Sequence, residues 1–244
     1  MKNNRFLCFL LIFITFTTWS CKGDDVPVSS ILESTSLRNG SVTLYNIKDK
    51  TGKVIKVIKN HILEETTEMY FVQEYSATNS EELIRIKLAP KTLNLNYCEI
   101  VNAQNPTADQ LAPQQKVVFS IERSGQTYFL TSFTLGKPIT SKIFYDSLVM
   151  EQENMVYLLN SFPFETTTSA SIHFINARTQ KEGTEMIRVE GKETKMFNKQ
   201  EVSVYKVSLS ALGGTAWYME EKPHTLVEAD LPSYTILLTD WNGF

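Results

Sequence analysis

Apolar and polar residues alternate in short runs along most of this chain, and Gly, Pro, Asn or Ser breaks the runs at roughly ten-residue spacing, the pattern of half-buried strands joined by turns. "SVTLYNI" carries Val42, Leu44 and, past Tyr45, Ile47; "KDKTG" supplies turn chemistry, and "KVIKVI" follows. Two β-branched runs around a Gly-containing turn predict a hairpin. Further strands are predicted at "EMYFVQEYSA", "ELIRIKLA", "LNLNYCEIV", "KVVFSIERSG" and "QTYFLTSFTL", then at "ASIHFINAR", "EMIRVEG", "VSVYKVSL", "TAWYME", "HTLVEAD" and "SYTILLTD". In "ELIRIKLA" one face is Ile84, Ile86 and Leu88, with Leu83 apart from it, and "IERSGQTYF" reads as a second hairpin. The fold class is mainly β, an antiparallel curved sheet in a half-barrel or sandwich.

One segment breaks the alternation. Asp146 to Phe162 carries Leu148, Met155, Leu158, Leu159 and Phe162 at helical spacing and is closed by Pro163, so one short helix is predicted there with its apolar stripe in the core. The β domain spans 40–244, either as one unit or as two β subdomains joined near 106–115. At 42% hydrophobic residues this is ordinary globular material.

The N-terminus has another character. Lys2 and Arg5 precede an apolar run from Phe6 to about Phe16, and Ser20 is small, which together make a secretory signal over residues 1–20. The run is shorter than the roughly 20 apolar residues a membrane-spanning helix needs, and no later segment approaches that length. Cleavage after Ser20 makes Cys21 the first mature residue and the expected lipid attachment point, with 21–39 as tether. Thr18 and Ser20 also suit ordinary signal peptidase, which would leave a soluble periplasmic form. With Cys8 removed, Cys21 and Cys98 remain; Cys98 in "LNLNYCEI" reads as a small buried residue rather than a disulfide partner. "CKGDD" resembles the export tag of Bacteroidetes surface lipoproteins, which implies an outer-membrane anchor.

Loss of the signal leaves 22 basic against 27 acidic residues, a net charge of −5, and gives the chain no electrostatic reason to bind nucleic acid. Its expected partners are the membrane, through the lipid, and a hydrophobic ligand or another envelope protein. Catalytic chemistry is hard to assemble. His61, Glu64 and Glu65 in "HILEE" fall one histidine short of a zinc pattern and read as a solvated helix or turn, so no metal is expected. His173, between Ile172 and Phe174, is expected to point out of its strand. The pairs Glu64/Glu65, Glu81/Glu82 and Glu220/Glu221 face opposite ways on strands and cannot form catalytic dyads. There is no nucleophile elbow, phosphate loop or C-x-x-C, so no cofactor and no enzymatic activity are expected.

"NMVYLLNSFPFE", "VEGKETKMFNKQEVSVYKVSL" and "AWYMEEKPHTLVEADLPSYTILLTDW" occur in an order similar to that of exported Gram-negative envelope proteins catalogued as domain of unknown function 3108. The resemblance covers roughly residues 85–244; where relatives carry a Pro-Ala-Gly-like turn, this chain has Phe197-Asn198-Lys199. It implies a curved β domain with no established activity and no catalytic residues. Within it, Trp217, Tyr218 and His224 form an aromatic group around a turn, either anchoring the core or lining a ligand groove. Two functions follow. One is a lipid-anchored protein holding an apolar or amphiphilic ligand in its curved sheet; the other is an assembly module using an aromatic patch or a sheet edge, with the last strand, Ser233 to Thr239, as that edge.

The anchor is checked by phase separation of membranes: Cys21→Ala is expected to move the protein from the detergent to the aqueous phase, and an intact mass without acyl additions on the wild type would contradict the assignment.

Overall fold

A computed structural model describes residue 32 and residues 39–65, 68–77, 80–103, 116–133 and 137–241. The signal segment, Cys21, nearly all of the tether and the joint at 106–115 lie outside the described residues. The strands are β1 Val42–Asp49, β2 Val54–Glu64, β3 Met69–Ala77, β4 Ser80–Leu88 and β5 Leu95–Ala103. After them come β6 Lys116–Ser124, β7 Thr127–Ser132, β8 Ile139–Phe144 and the short β9 Val149–Glu151. Helix α1, Gln152–Leu158, runs into a 3-10 turn at Leu159–Ser161. The chain ends with β10 Ser169–Asn176, β11 Lys181–Phe197, β12 Gln200–Leu209, β13 Gly214–Met219, β14 Leu226–Asp230 and β15 Tyr234–Trp241.

Among the described residues all fifteen strands form one sheet, in the order β8-β7-β6-β5-β4-β3-β2-β1-β15-β14-β13-β12-β11-β10-β9. Every neighbouring pair is antiparallel except β9 with β10. Both hairpins read from the sequence form. In the first, Asp49 Oδ1 accepts from the backbone N–H groups of Thr51 and Lys53, and Gly52 supplies the positive φ of 86°. At the tip of β11–β12, Asn198 (φ 49°) and Lys199 (φ 66°) make the two-residue left-handed loop that suits strand twist. The expectation that the last strand is an edge is corrected: β15 is central, paired with β1 through Ile47↔Ile236 and with β14. The ends of the order are β8 and β9, two strands that the alternation did not reveal.

The sheet curls around its inner face. Residues buried there include Ile84, Ile86 and Leu88 of β4, Cys98 of β5, Ile121 of β6, Leu130 of β7, Ile187 of β11 and Tyr218 of β13. Contacts between elements distant in the order measure the curl. Asn94, before β5, receives the Val149 N–H of β9 at 3.1 Å and the Tyr128 hydroxyl of β7 at 2.9 Å. Arg178, after β10, grips Glu82 of β4, and the rings of Tyr145 and His173 lie 4.9 Å apart. The two ends of the sheet approach without pairing, so the barrel stays open.

Helix α1 fills the interior. Asn154 through Leu158 are all buried, as are the predicted stripe residues Leu148, Met155, Leu158, Leu159 and Phe162. The helix is shorter than the predicted span because Val149–Glu151 pair with His173–Ile175 as β9. A helix enclosed on every side need not be amphipathic, so periodicity marked its presence better than its ends. Glu151, 1% exposed, caps α1: it accepts from Asn154 N–H, from Asn154 Nδ2 at 2.7 Å and from Ala177 N–H. Burial, joined by the nearby Glu153 charge, pushes its carboxyl from 4.5 up to about 7, against the pull of those hydrogen bonds.

A proton held more tightly in the folded than in the unfolded chain stabilises the fold at low pH. The Glu151 contribution is complete below about 4.5 and is lost as pH rises through about 7. Urea unfolding between pH 5 and pH 8 should therefore show a fall in stability that is smaller in Glu151→Gln; equal slopes in the two proteins would contradict this reading.

Candidate functional site

At one end of the curled sheet a cavity of about 410 Å³ opens between α1 and strands β1–β3. Strand alternation builds one wall: Ile47 of β1 and Ile58 of β2 face inward, with Tyr75 of β3 beside them. Val156 and Tyr157 of α1 form the opposite wall, and Leu212 and Leu231, from the turns after β12 and β14, close the side with Tyr234 at the start of β15. Polar groups gather at the mouth: Lys56, Gln152, Glu153, Asn176 and Arg178.

These mouth residues are held by specific partners. Arg178 Nε donates to Glu153 Oε1 at 2.7 Å, and its two terminal nitrogens donate to the two oxygens of Glu82. Burial opposes the charge on Arg178, but Glu82 and Glu153 outweigh it and raise the guanidinium pKa. Asn176 Nδ2 donates to Gln152 Oε1 at 3.0 Å, and Lys56 lies 5.2 Å from the Tyr75 ring centre. Leu212 is placed from behind by Glu185, a fully buried carboxylate that accepts from the backbone N–H groups of Ala211 and Leu212 at 2.9 Å and from Ser210 Oγ. Burial raises the Tyr75 and Tyr157 phenols well above their ordinary pKa, so both stay neutral donors. The cavity therefore offers an apolar interior, neutral hydroxyls and a mouth with charge of both signs.

The structure separates the aromatic residues that the sequence grouped. Tyr218 is fully buried on the inner face and donates to Val156 O of α1 at 2.7 Å. Its ring stacks on Phe164 at 4.9 Å, and His224, also fully buried, meets the Phe164 ring edge-on at 5.2 Å. His224 Nδ1 is 2.9 Å from Met219 O, and Nε2 is 3.3 Å from Glu165. Neither residue lines the cavity. Trp217 points to the outer face. Its indole nitrogen donates to Glu193 of β11, Lys195 lies 3.7 Å above its ring, and Lys195 also binds Glu228 of β14 at 2.9 Å. These contacts skip intervening strands, so the outer half of the β11–β12 hairpin curls back over β13 and covers Trp217 to 9% exposure.

The histidine readings divide. His61 lies on strand β2, not on a helix or turn, so it and Glu64 face opposite sides of the sheet. His61 instead faces Glu74 at 3.5 Å. His173 points outward, beside Thr184 at 3.1 Å, as expected. Among the described residues no group of three or more His, Cys, Asp or Glu side chains is placed to hold a metal, and no helix is long and apolar enough to cross a membrane. The cavity residues had no sequence signal as a set, because they come from five strands, one helix and three turns. Only the alternation of Ile47 and Ile58 was readable in advance.

No protein family and no curated protein matches the chain, so membership in family 3108 is not shown. Among solved structures it is similar to a β-barrel-like protein of domain of unknown function 1849 from Brucella abortus, with 7% identity and a TM-score of 0.49 over 85% of this chain and 99% of that one. It is also similar to a candidate lipoprotein from Parabacteroides distasonis, with 10% identity and a TM-score of 0.32 over 87% of this chain and 99% of that one. A candidate exported protein with a YmcC-like fold from Bacteroides fragilis gives 8% identity and a TM-score of 0.32, over 88% of this chain and 100% of that one.

Trp217→Ala removes a covered indole and leaves the Glu193–Lys195 arm without its support. It should cost about 3–5 kcal/mol in urea unfolding; a loss below about 1 kcal/mol would show that the arm does not pack as described.

Proposed function

We propose that this is a non-enzymatic, lipid-anchored envelope protein, held to the outer membrane through Cys21, that carries an amphiphile in the cavity between β1–β3 and α1. The observation that carries the reading is the cavity's construction. Its volume of about 410 Å³ falls in the range of ligand pockets, its walls are isoleucine, valine, leucine and tyrosine, and its charges stand at the mouth. An apolar chain would lie against Ile47, Ile58 and Val156, and a polar head would remain near Lys56, Asn176 and Arg178. The non-enzymatic part of the reading is supported by how these charges are used: Arg178 is occupied by Glu82 and Glu153, a structural clasp rather than a poised acid–base pair. The signal sequence, with Cys21 directly after the expected cut, supports the envelope location.

A second reading rests on a different observation. Strand β8, an end of the sheet among the described residues, exposes Ile139 (63%) and Phe144 (66%), and such an edge suits strand addition by another envelope protein.

Titration with a fluorescent fatty-acid analogue tests the first reading. The wild type should bind the probe saturably, and Val156→Trp, which fills the cavity, should weaken binding at least about tenfold with the melting temperature retained. The paired substitutions Ile139→Asp and Phe144→Asp should leave binding unchanged. Absence of saturable binding to the wild type, or loss only in the β8 variant, would shift the assignment to the edge.

A further inference from the structure

The inner rows of β1 and β2 continue past the cavity. On β1 the inward positions step from Ile47 to Tyr45 and Thr43, and on β2 from Ile58 to Asn60 and Ile62, each step advancing about 7 Å along the strand. A second chamber of about 30 Å³ lies along these later positions, lined by Thr43, Asn60, Asn160 and Thr225 on one part and by Ile62 and Phe71 on another. Tyr157 of α1 lines both spaces. Its ring packs 5.1 Å from Tyr45 and 6.4 Å from Phe71, and the residue is 5% exposed, so it forms a partition held on both sides.

The chemistry changes across that partition. Asn60 is 3% exposed, and its Nδ2 has no hydrogen-bond partner among the described residues; the buried Oδ1 of Asn160 has none among them either. Asn60 Oδ1 accepts from Gln73 Nε2 at 2.8 Å, while Gln73 Oε1 has no partner among the described residues. Turning both amides over would exchange donor and acceptor within the Asn60–Gln73 bond. Buried amides of this kind need a partner, and the chamber has room for about one water between a donor and an acceptor.

We infer that Tyr157 determines which ligands the large cavity accepts: it stops the apolar chain and shuts it out of a small chamber in which a water serves the buried Asn60 and Asn160 amides. This rests on the amphiphile reading and deepens it to a ligand whose chain has a set maximum length. The limit is steric, from the Tyr157 ring, and chemical, because an alkyl end pushed past it would displace the water and strand the Asn60 and Asn160 amides.

Binding of straight-chain carboxylates from about 10 to about 18 carbons, read by displacement of the fluorescent probe, tests it. Wild-type affinity should rise with chain length to a limit and then fall. In Tyr157→Ala the limit should move to longer chains, with the longest bound at least about tenfold more tightly than by the wild type; Tyr157→Phe should keep the wild-type limit. If melting shows that the alanine variant does not fold, Tyr157→Leu should shift the limit in the same direction. An identical limit in the wild type and the folded small-residue variant would overturn the role of Tyr157 while leaving the amphiphile reading standing. No saturable chain binding by the wild type would overturn both.

Discussion

The burial of α1 inside the sheet is the contact on which the other parts rest, because a fifteen-stranded sheet whose end strands do not pair has no hydrogen-bond ladder to hold its curl. The helix supplies what closure would have supplied. Tyr157 reaches the rings of β1 and β3, and Val156 O takes the Tyr218 hydroxyl of β13, so one short helix ties strands that lie on opposite sides of the interior. The same side chains that fasten the curl also bound the cavity. A ligand site beside α1 is the space left where a seven-residue helix fills only part of a wide half-barrel.

Polar fastenings complete the curl at places where apolar contact is thin. Asn94 links β7 and β9, Glu151 links α1 to Ala177, Glu185 orders the turn carrying Leu212, and Arg178 clasps Glu82 and Glu153. Each buried group has several partners, which is the condition under which burial of a polar group is tolerated. On the outside the chain uses a different device. The β11–β12 hairpin is much longer than β13, and its excess folds back so that Lys195 and Glu193 cover Trp217. Long charged side chains act there as apolar cover with their heads near water.

Much of the architecture was legible because strands of an open antiparallel sheet bury one face, and that rule writes itself into alternation. Ile84, Ile86 and Leu88 are an example. Cys98 followed the same logic as a buried thiol. Illegible parts share a cause: they depend on what lies across the interior. β8 has exposed residues on both faces and so shows no alternation, and β9 is buried at every position and reads as part of a helix. Trp217 and Tyr218 are adjacent in sequence and therefore face opposite sides, a consequence of strand geometry that a grouping by aromatic content overlooks. His61 and Glu64 misled for the related reason that a helical spacing was applied to a strand. The cavity itself could not be read, since its position is fixed by how far α1 extends.

The central claim is that the space between Ile47, Ile58 and Val156 receives an apolar chain that ends at Tyr157. A crystal structure of the wild-type protein with a fatty acid brominated at its terminal carbon tests this directly, because bromine gives its own anomalous signal. The account predicts one bromine peak inside the curled sheet against the Tyr157 ring, with the carboxylate near the mouth formed by Lys56, Asn176 and Arg178. A bromine peak on the outer face or along β8, or a chain lying across the partition with the Tyr157 ring in place, would contradict it.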